Sequence, residues 1–190
     1  MKVVAFNGSP RKKGNTAMML GWVMEQLEKE GIDTEIVHVG RDIHPCIACY
    51  KCASNKDRRC TFDDDGVNGY LEKMFEADGI LLGSPTYFAD VSAQMKALID
   101  RCGLVARVNG NLLSRKVGAG VVAVRRAGAV HVFSSLNYFF LIAEMVVPGS
   151  VYWNLGIGKA PGDVANDAEG KLTMERLGEN MAWVMSRLNL

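Results

Sequence analysis

Apolar residues follow two alternating patterns along the chain. Short continuous apolar runs are typical of strands buried on both faces of a parallel sheet, and apolar residues spaced three or four apart are typical of amphipathic helices. The chain therefore predicts five strands that alternate with five helices. The predicted strands span residues 2–7, 34–39, 79–83, 116–124 and 146–149, and the helices span 16–30, 66–77, 92–102, 130–144 and a C-terminal segment that includes 177–188.

This order predicts an α/β fold, a three-layer αβα sandwich around a five-stranded parallel sheet in the order 2-1-3-4-5. In such a sheet the ligand lies at the carboxyl ends of the strands, where the strand order reverses. We predict a single domain over residues 1–190, with a cysteine-rich insertion at about 40–65. An irregular segment of that length inside a compact domain is usually functional.

Composition and charge narrow the class of protein. The formal net charge is +1, and no stripe of basic residues indicates nucleic-acid binding. The longest apolar stretch, residues 136–147, is shorter than the roughly 20 residues of a membrane-spanning helix. The strand pattern begins at Lys2, so we expect no signal peptide. These observations predict a cytoplasmic protein without nucleic-acid or membrane partners.

The loop after the first strand, residues 7–16, has the sequence Asn-Gly-Ser-Pro-Arg-Lys-Lys-Gly-Asn-Thr. Its glycines allow close approach to a ligand, and the following helix presents free N–H groups to an anion. It matches neither the nucleoside-triphosphate P-loop nor the dinucleotide fingerprint. We predict a phosphate site, with Asn15 or Thr16 also capping the helix; the alternative is a polar turn without ligand. The predicted phosphate-binding residues are Ser9, Arg11, Asn15 and Thr16.

Four of the five cysteines lie within fifteen residues, at Cys46, Cys49, Cys52 and Cys60. The spacing C-x2-C-x2-C-x7-C lets the thiolates converge, and four thiolates suit a [4Fe–4S] cluster. A structural zinc site, or thiols that are empty or oxidised, remain as alternatives. We expect Cys102, on the apolar face of a helix, to belong to the core.

Two loops carry a family resemblance. Gly-Ser-Pro-Arg at 8–11 with Gly-Asn-Thr at 14–16, and Gly-Ser-Pro-Thr-Tyr-Phe at 83–88, resemble the NAD(P)H-dependent FMN reductases of the flavodoxin-like superfamily. The cysteine motif is similar to that of the iron-sulfur flavoprotein branch. The resemblance implies that FMN is bound and that its ring lies against the loops after the third and fourth strands. The residues implied for the ring are Pro85, Thr86, Tyr87, Phe88, Arg125, Arg126 and Gly128.

The sequence therefore predicts an FMN-dependent oxidoreductase and electron-transfer iron-sulfur flavoprotein. Its expected donor is ferredoxin or NAD(P)H and its acceptor a small molecule; no catalytic side chain is predicted, because the flavin performs the chemistry. One alternative is an NAD(P)H-dependent FMN or quinone reductase without a cluster, and another is a zinc-stabilised, non-enzymatic flavin-binding module. The apolar run 138–142 covers more than one helix face, which predicts a homodimer or homotetramer.

Overall fold

A five-stranded parallel sheet forms the centre of the computed structural model, which describes residues 1–188. The strand order is β2-β1-β3-β4-β5, as predicted, and helices cover both faces. The strands are β1 (Lys2–Asn7), β2 (Asp33–His38), β3 (Gly79–Pro85), β4 (Val117–Val124) and β5 (Leu155–Ile157). The helices are α1 (Asn15–Lys29), α2 (Lys51–Asn55), α3 (Val67–Glu76), α4 (Ala93–Val108), α5 (Ala129–Ile142) and α6 (Ala168–Arg187), and a 3₁₀ turn spans Asp163–Asn166.

Alternate residues of the strands enter two separate cores. In β1, Val3 and Ala5 face the core beneath α1 and α6, while Val4 and Phe6 face the core beneath α3, α4 and α5. Successive side chains of a strand point to opposite faces, so a central strand with helices on both sides must be apolar throughout. This is why β1 and β4 read as continuous apolar runs in the sequence.

The last strand is not where the sequence predicts it. Residues 146–149 make only an isolated bridge between Val146 and the first residue of β4, Val117, whereas β5 pairs with β4 through Leu155 and Val122. Pro148 cannot donate a ladder hydrogen bond. Gly156 permits the close approach of Met19 and Val164 above β5, because a Cβ there would lie 2.8 Å from Val164.

The cysteine-rich insertion is also less irregular than predicted. It contains the short helix α2, which carries Cys52. The predicted helices at 92–102 and 130–144 are both present, and α4 continues to Val108. Within residues 1–188, none of the helices combines the length and the apolar character needed to cross a membrane.

Candidate flavin and cysteine sites

The loop after β1 is shaped by its own polar groups. The buried side chain of Asn7 accepts a hydrogen bond from the Ser9 N–H at 3.0 Å, and the Ser9 hydroxyl accepts one from the Arg11 N–H at 3.2 Å. The Gly8 N–H donates to the carbonyl of Gly83 at 2.8 Å, which joins this loop to the end of β3. Asn7 is a residue that sequence reasoning missed, although an Asx turn directly after a strand was the available signal.

Helix α1 begins without a side-chain cap, so the prediction that Asn15 or Thr16 caps it is wrong. The N-cap residue is Gly14, whose carbonyl accepts the first intrahelical hydrogen bond from the Met18 N–H. The N–H groups of residues 15–17 consequently have no intrahelical acceptor. Free N–H groups at a helix N-terminus bind anions, and here they adjoin the pocket of the β1 loop.

Asn15 organises a second loop. Its side-chain amide donates to the carbonyl of Ala160 at 3.0 Å and accepts from the Gly162 N–H at 2.8 Å. These contacts hold the segment after β5 against the loop after β1, so that Gly158 and Lys159 line the same pocket as Arg11. The sequence did not predict Lys159 as a pocket residue, because the predicted β5 began nine residues before the observed one.

The loop after β3 is a tight hairpin turn. Tyr87 and Asp90 exchange two backbone hydrogen bonds of 3.0 Å, and the two residues between them, Phe88 and Ala89, have φ of +49° and +62°. Positive φ at both central positions defines the type I′ geometry that normally favours glycine and asparagine. The turn places the Phe88 side chain in solvent, fully exposed.

Thr86 has an unsatisfied polar group at this position. Its N–H donates to the carbonyl of Ala123 at 2.8 Å, but its hydroxyl oxygen is buried and has no hydrogen-bond partner among the described residues. A buried hydroxyl without a partner is costly, typically about 1–3 kcal/mol. A ligand with polar atoms would satisfy it, because Thr86 lines the pocket between the β1 and β4 loops.

Most of the predicted flavin-binding residues line one pocket at the carboxyl ends of β1, β3, β4 and β5. The structure does not bring Phe88, Arg126 or Gly128 into its wall; Gly128 instead lies under the hairpin, where a Cβ would be 3.0 Å from the Ala89 Cα. The predicted residues that do line the pocket are Ser9, Arg11, Asn15, Thr16, Pro85, Thr86, Tyr87 and Arg125.

The pocket fits FMN in its chemistry. The uncapped N-terminus of α1 and the nearby cations Arg11 and Lys159 suit a phosphate, and the unpaired Thr86 hydroxyl suits a polar ring edge. Arg125 adds a further positive charge to the wall. The contacts of each of these residues with a flavin stay predictions.

The four clustered cysteines line a second pocket, between the insertion and the middle of α4. All four are free thiols, and they range from the buried Cys52 to the exposed Cys49. Four residues of this segment, Ala48, Tyr50, Lys56 and Arg58, have positive φ, so a left-handed residue lies in every gap between successive cysteines. Alternation of right- and left-handed residues turns backbone N–H groups inward, a geometry common at iron-sulfur sites.

The sulfur positions bear on which metal centre the cysteines could hold. Zinc–sulfur bonds of about 2.3 Å place the sulfurs of a tetrahedral site about 3.8 Å apart. Within residues 1–188, no three of the cysteine sulfurs lie within 4.8 Å of one another. An iron-sulfur cluster binds each thiolate to a different iron and therefore accepts a wider spacing. Four thiolate donors on the wall of one pocket fit a four-iron cluster in their chemistry.

Burial and the neighbouring Cys60 thiolate raise the pKa of the Cys52 thiol. A metal centre would displace this proton, because bound thiolates are stabilised by the cation. Cys102 is fully buried and is a core residue, as predicted. Burial also raises the pKa of Cys102, which keeps that side chain a thiol.

Buried polar side chains hold the insertion in place. Asn68 accepts from the Cys60 N–H at 2.8 Å and donates to the Cys60 carbonyl at 3.0 Å. Arg101 forms an ion pair with Asp65 in which both side chains are nearly inaccessible, with exposed fractions of 0% and 1%. Arg101 also lines the cysteine pocket. Arg101 lies three residues after Leu98 and four before Val105. This helical spacing places its charge on the buried face of α4 and is the feature of the sequence that could have identified it.

Comparison with known proteins decides the family. Residues 1–160 match the family of NADPH-dependent FMN reductases. The chain belongs to this family. It is 41% identical over 193 residues to an iron-sulfur flavoprotein of Methanocaldococcus jannaschii, covering 97% of each chain. It is 34% identical over 163 residues to one of Methanosarcina thermophila, covering 81% of this chain and 83% of the relative.

The fold also agrees with a solved structure. The crystal structure of RosB with bound 8-demethyl-8-formylriboflavin-5′-phosphate superimposes with a TM-score of 0.77 at 22% identity, over 100% of this chain and 80% of that one. The flavodoxin-like fold, the family and its iron-sulfur flavoprotein branch are thereby confirmed. The protein is an FMN-dependent oxidoreductase.

Proposed function

We propose that this FMN reductase family member is an electron-transfer enzyme with two redox groups, FMN in the pocket at the strand ends and a [4Fe–4S] cluster bound by Cys46, Cys49, Cys52 and Cys60. The observation that carries the proposal is the convergence of all four cysteines on the wall of one pocket, because four thiolates are the usual ligands of such a cluster.

The residues proposed to hold FMN divide between its two ends. The N–H groups at the start of α1, with Ser9 and Arg11, bind the phosphate. Pro85, Thr86, Tyr87 and Arg125 bind the ring. Gly128 supports the hairpin after β3 from outside the pocket wall, beside Ala89. FMN supplies the oxidoreduction chemistry, and the protein supplies position and electrostatics.

Helix α4 connects the two pockets. Its N-cap residue Ser92 contacts the β1 loop, and Arg101, nine residues on, lines the cysteine pocket. At about 1.5 Å per residue, the two positions are roughly 14 Å apart along the helix axis. This proximity supports one-electron exchange between the two groups, either within one chain or between two.

The proposed electron donor is a ferredoxin or NAD(P)H, and the acceptor is a small molecule. Exposed Lys51, Lys56 and Arg58 surround the cysteines and would attract an acidic protein. A chain that lacked the cluster would act as an NAD(P)H-dependent FMN or quinone reductase, with nicotinamide binding directly on the flavin. Reduced cysteines of this kind are typical of the cytoplasm, which is the proposed location.

We also propose that the protein is a homodimer or homotetramer. Tyr138, Leu141 and Ile142 of α5 are each more than 60% exposed, and the half-buried Leu104 of α4 lies beside Ile142 in the same groove. An apolar patch of this kind is typical of a subunit interface. Leu104 also lines the cysteine pocket, so a second copy bound here would lie next to the cysteines.

Anaerobic purification and reconstitution test the proposal. We expect close to four irons and four acid-labile sulfides per chain, together with one FMN. Cys60→Ala should lower the iron content, while the matched variant Cys102→Ala, at a buried position outside the pocket, should keep it. Stoichiometric zinc without labile sulfide would overturn the cluster, and rapid bleaching of cluster-free protein by NADPH would favour the reductase alternative.

A further inference from the structure

Arg101 is a buried cation that the proposed electron-transfer role has not yet used. Its side chain is inaccessible to solvent, and its guanidinium has five N–H donors, which a buried position must satisfy. It donates to Asp65 and to the carbonyl of His44 through Nη1, and to the carbonyl of Phe62 through Nη2.

Three acceptors serve the five N–H groups of this guanidinium, and Nε–H is one of the unpaired donors. Nε is buried, and it has no hydrogen-bond partner among the residues that the structure describes. A buried N–H without a partner is costly, and such groups in native structures usually meet a ligand or an ordered water. The Arg101 side chain is part of the wall of the cysteine pocket, together with Cys46, Cys49, Cys52 and Cys60.

Arg101 brings a fixed positive charge to the cysteine pocket. A guanidinium stays protonated in proteins, and Arg101 lines the same pocket as Cys60. The guanidinium is therefore a permanent cation in the wall that also holds Cys60. In a site shielded from water, a hydrogen bond from such a cation to a sulfur is stronger than it is at the surface.

We propose that Arg101 is a positioning residue of the cysteine centre, whose free Nε–H donates a hydrogen bond to a sulfur at Cys60 and makes the bound cluster easier to reduce. The inference rests on the proposed cluster. Reduction adds one negative charge to a cluster that already carries four thiolates. Hydrogen bonds to the sulfurs and local charge are among the factors that set the potential of such clusters.

A purely structural role is the competing explanation, because the contacts with Asp65, His44 and Phe62 also hold the insertion. The two roles differ in what they change. A structural residue alters how much cluster the protein retains, whereas a hydrogen bond to sulfur alters the reduction potential of the cluster that is retained.

Potentiometric titration monitored by electron spin resonance on anaerobically reconstituted Arg101→Lys tests the proposal. Lysine keeps the positive charge and loses the Nε–H. We expect an equilibrium constant for one-electron reduction about tenfold lower than in the wild type, or a midpoint potential about 59 mV more negative. Arg59→Lys is the matched control, because Arg59 lies on the same insertion but its side chain is 42% exposed; its potential should equal that of the wild type.

Hyperfine spectroscopy covers the case in which Arg101→Lys retains no cluster. Wild-type protein labelled with ¹⁵N at the arginine guanidinium and then reduced should show a ¹⁵N coupling to the cluster, and Arg59→Lys should show the same coupling. An unchanged potential in Arg101→Lys, or no coupling in the labelled wild type, overturns the role of Arg101 while the cluster stands. A wild type that forms no cluster instead overturns the proposed function.

Discussion

The hydroxyl of Ser92 donates a hydrogen bond of 2.6 Å to the carbonyl oxygen of Gly8, although 84 residues separate the two. The Ser92 hydroxyl oxygen itself accepts a hydrogen bond from the Met95 N–H and thereby caps α4. The Ser92 N–H donates to the Ser84 hydroxyl at 3.0 Å. The buried residue Ser92 therefore joins the loop after β1 to the loop after β3. These two loops form the two halves of the proposed flavin site.

Replacement of Ser92 should uncouple the two loops. We expect Ser92→Ala to lower the free energy of unfolding by about 1–2 kcal/mol, because it removes a helix cap and leaves a buried carbonyl unpaired. Urea unfolding of the FMN-free protein measures this. FMN affinity, measured by fluorescence titration, should fall as well. The control is Ser134→Ala, because the Ser134 hydroxyl donates only to the Val130 carbonyl of its own helix. This variant should change neither the unfolding free energy nor the FMN affinity. Equal effects of both variants would contradict the coupling of the two loops.

Gly128 is expected to act on the flavin site through the hairpin. Its φ of +88° disfavours other residues, and a Cβ would lie 3.0 Å from the Ala89 Cα. Gly128→Ala should therefore displace the turn between Tyr87 and Asp90 and weaken FMN binding about tenfold or more, with a stability loss of about 1–2 kcal/mol. Thermal unfolding and fluorescence titration measure these changes.

Gly21→Ala provides the matched control for that variant. Gly21 lies inside α1, and a Cβ there meets no atom within 4 Å. Alanine should stabilise the helix by roughly 0.5–1 kcal/mol and leave FMN affinity unchanged. If Gly128→Ala bound FMN as well as Gly21→Ala does, the hairpin would have no part in the site.

The sequence predicts the sheet more reliably than it predicts the site. The central strands β1 and β4 are buried on both faces, so their apolar runs identify them without tertiary information. The edge strand β5 has only three residues, and a three-residue strand has no period to recognise. The position of a loop follows from the end of its strand. Because β5 was predicted too early, Lys159 in the loop after it was not predicted as a pocket residue.

Side-chain partners were the other missing information. Asn15 belongs to the loop after β1, and its predicted contact with a phosphate stays a prediction. Its amide bonds Ala160 and Gly162, residues about 145 positions away that no local pattern connects to it. The sequence places Arg101 on the apolar face of an amphipathic helix, but it does not identify the partners of this charge. Only the fold brings Asp65 and the cysteine pocket to it, and these contacts give the residue its proposed role.

The ion pair between Asp65 and Arg101 should make the free energy of unfolding depend on pH in the acid range. Burial alone would raise the pKa of Asp65, but hydrogen bonds from the His44 N–H and from Arg101 lower it below the ordinary value of 3.8. The folded protein then binds this proton more weakly than the unfolded chain does. The stabilisation is complete above pH 3.8 and is lost as the pH falls toward the lowered pKa.

Asp65→Asn should remove that acid dependence and leave the charge of Arg101 buried without its partner. We expect a loss of about 3–5 kcal/mol at neutral pH, measured by urea unfolding of the cluster-free, reduced protein. The stability difference between wild type and variant should narrow as the pH falls below 3.8. Asp64→Asn, at a side chain that is 67% exposed, should match the wild type. A pH-independent difference would show that Asp65 keeps its ordinary pKa.

The apolar patch of α5 leads to a prediction about assembly that is separate from the redox groups. Burial of Ile142, which is 65% exposed in the single chain, would stabilise a subunit contact by about 1–2 kcal/mol for each copy, and a buried unpaired carboxylate would cost more. We therefore expect the wild type to sediment as a dimer or tetramer and Ile142→Glu to sediment as a monomer with unchanged iron per chain. Leu172→Glu, at a residue of α6 that is 51% exposed and outside the patch, should sediment like the wild type.

An oligomer that survives Ile142→Glu would place the interface elsewhere. A loss of iron in that variant alone would mean that the partner chain protects the cysteine pocket, as the shared wall residue Leu104 suggests.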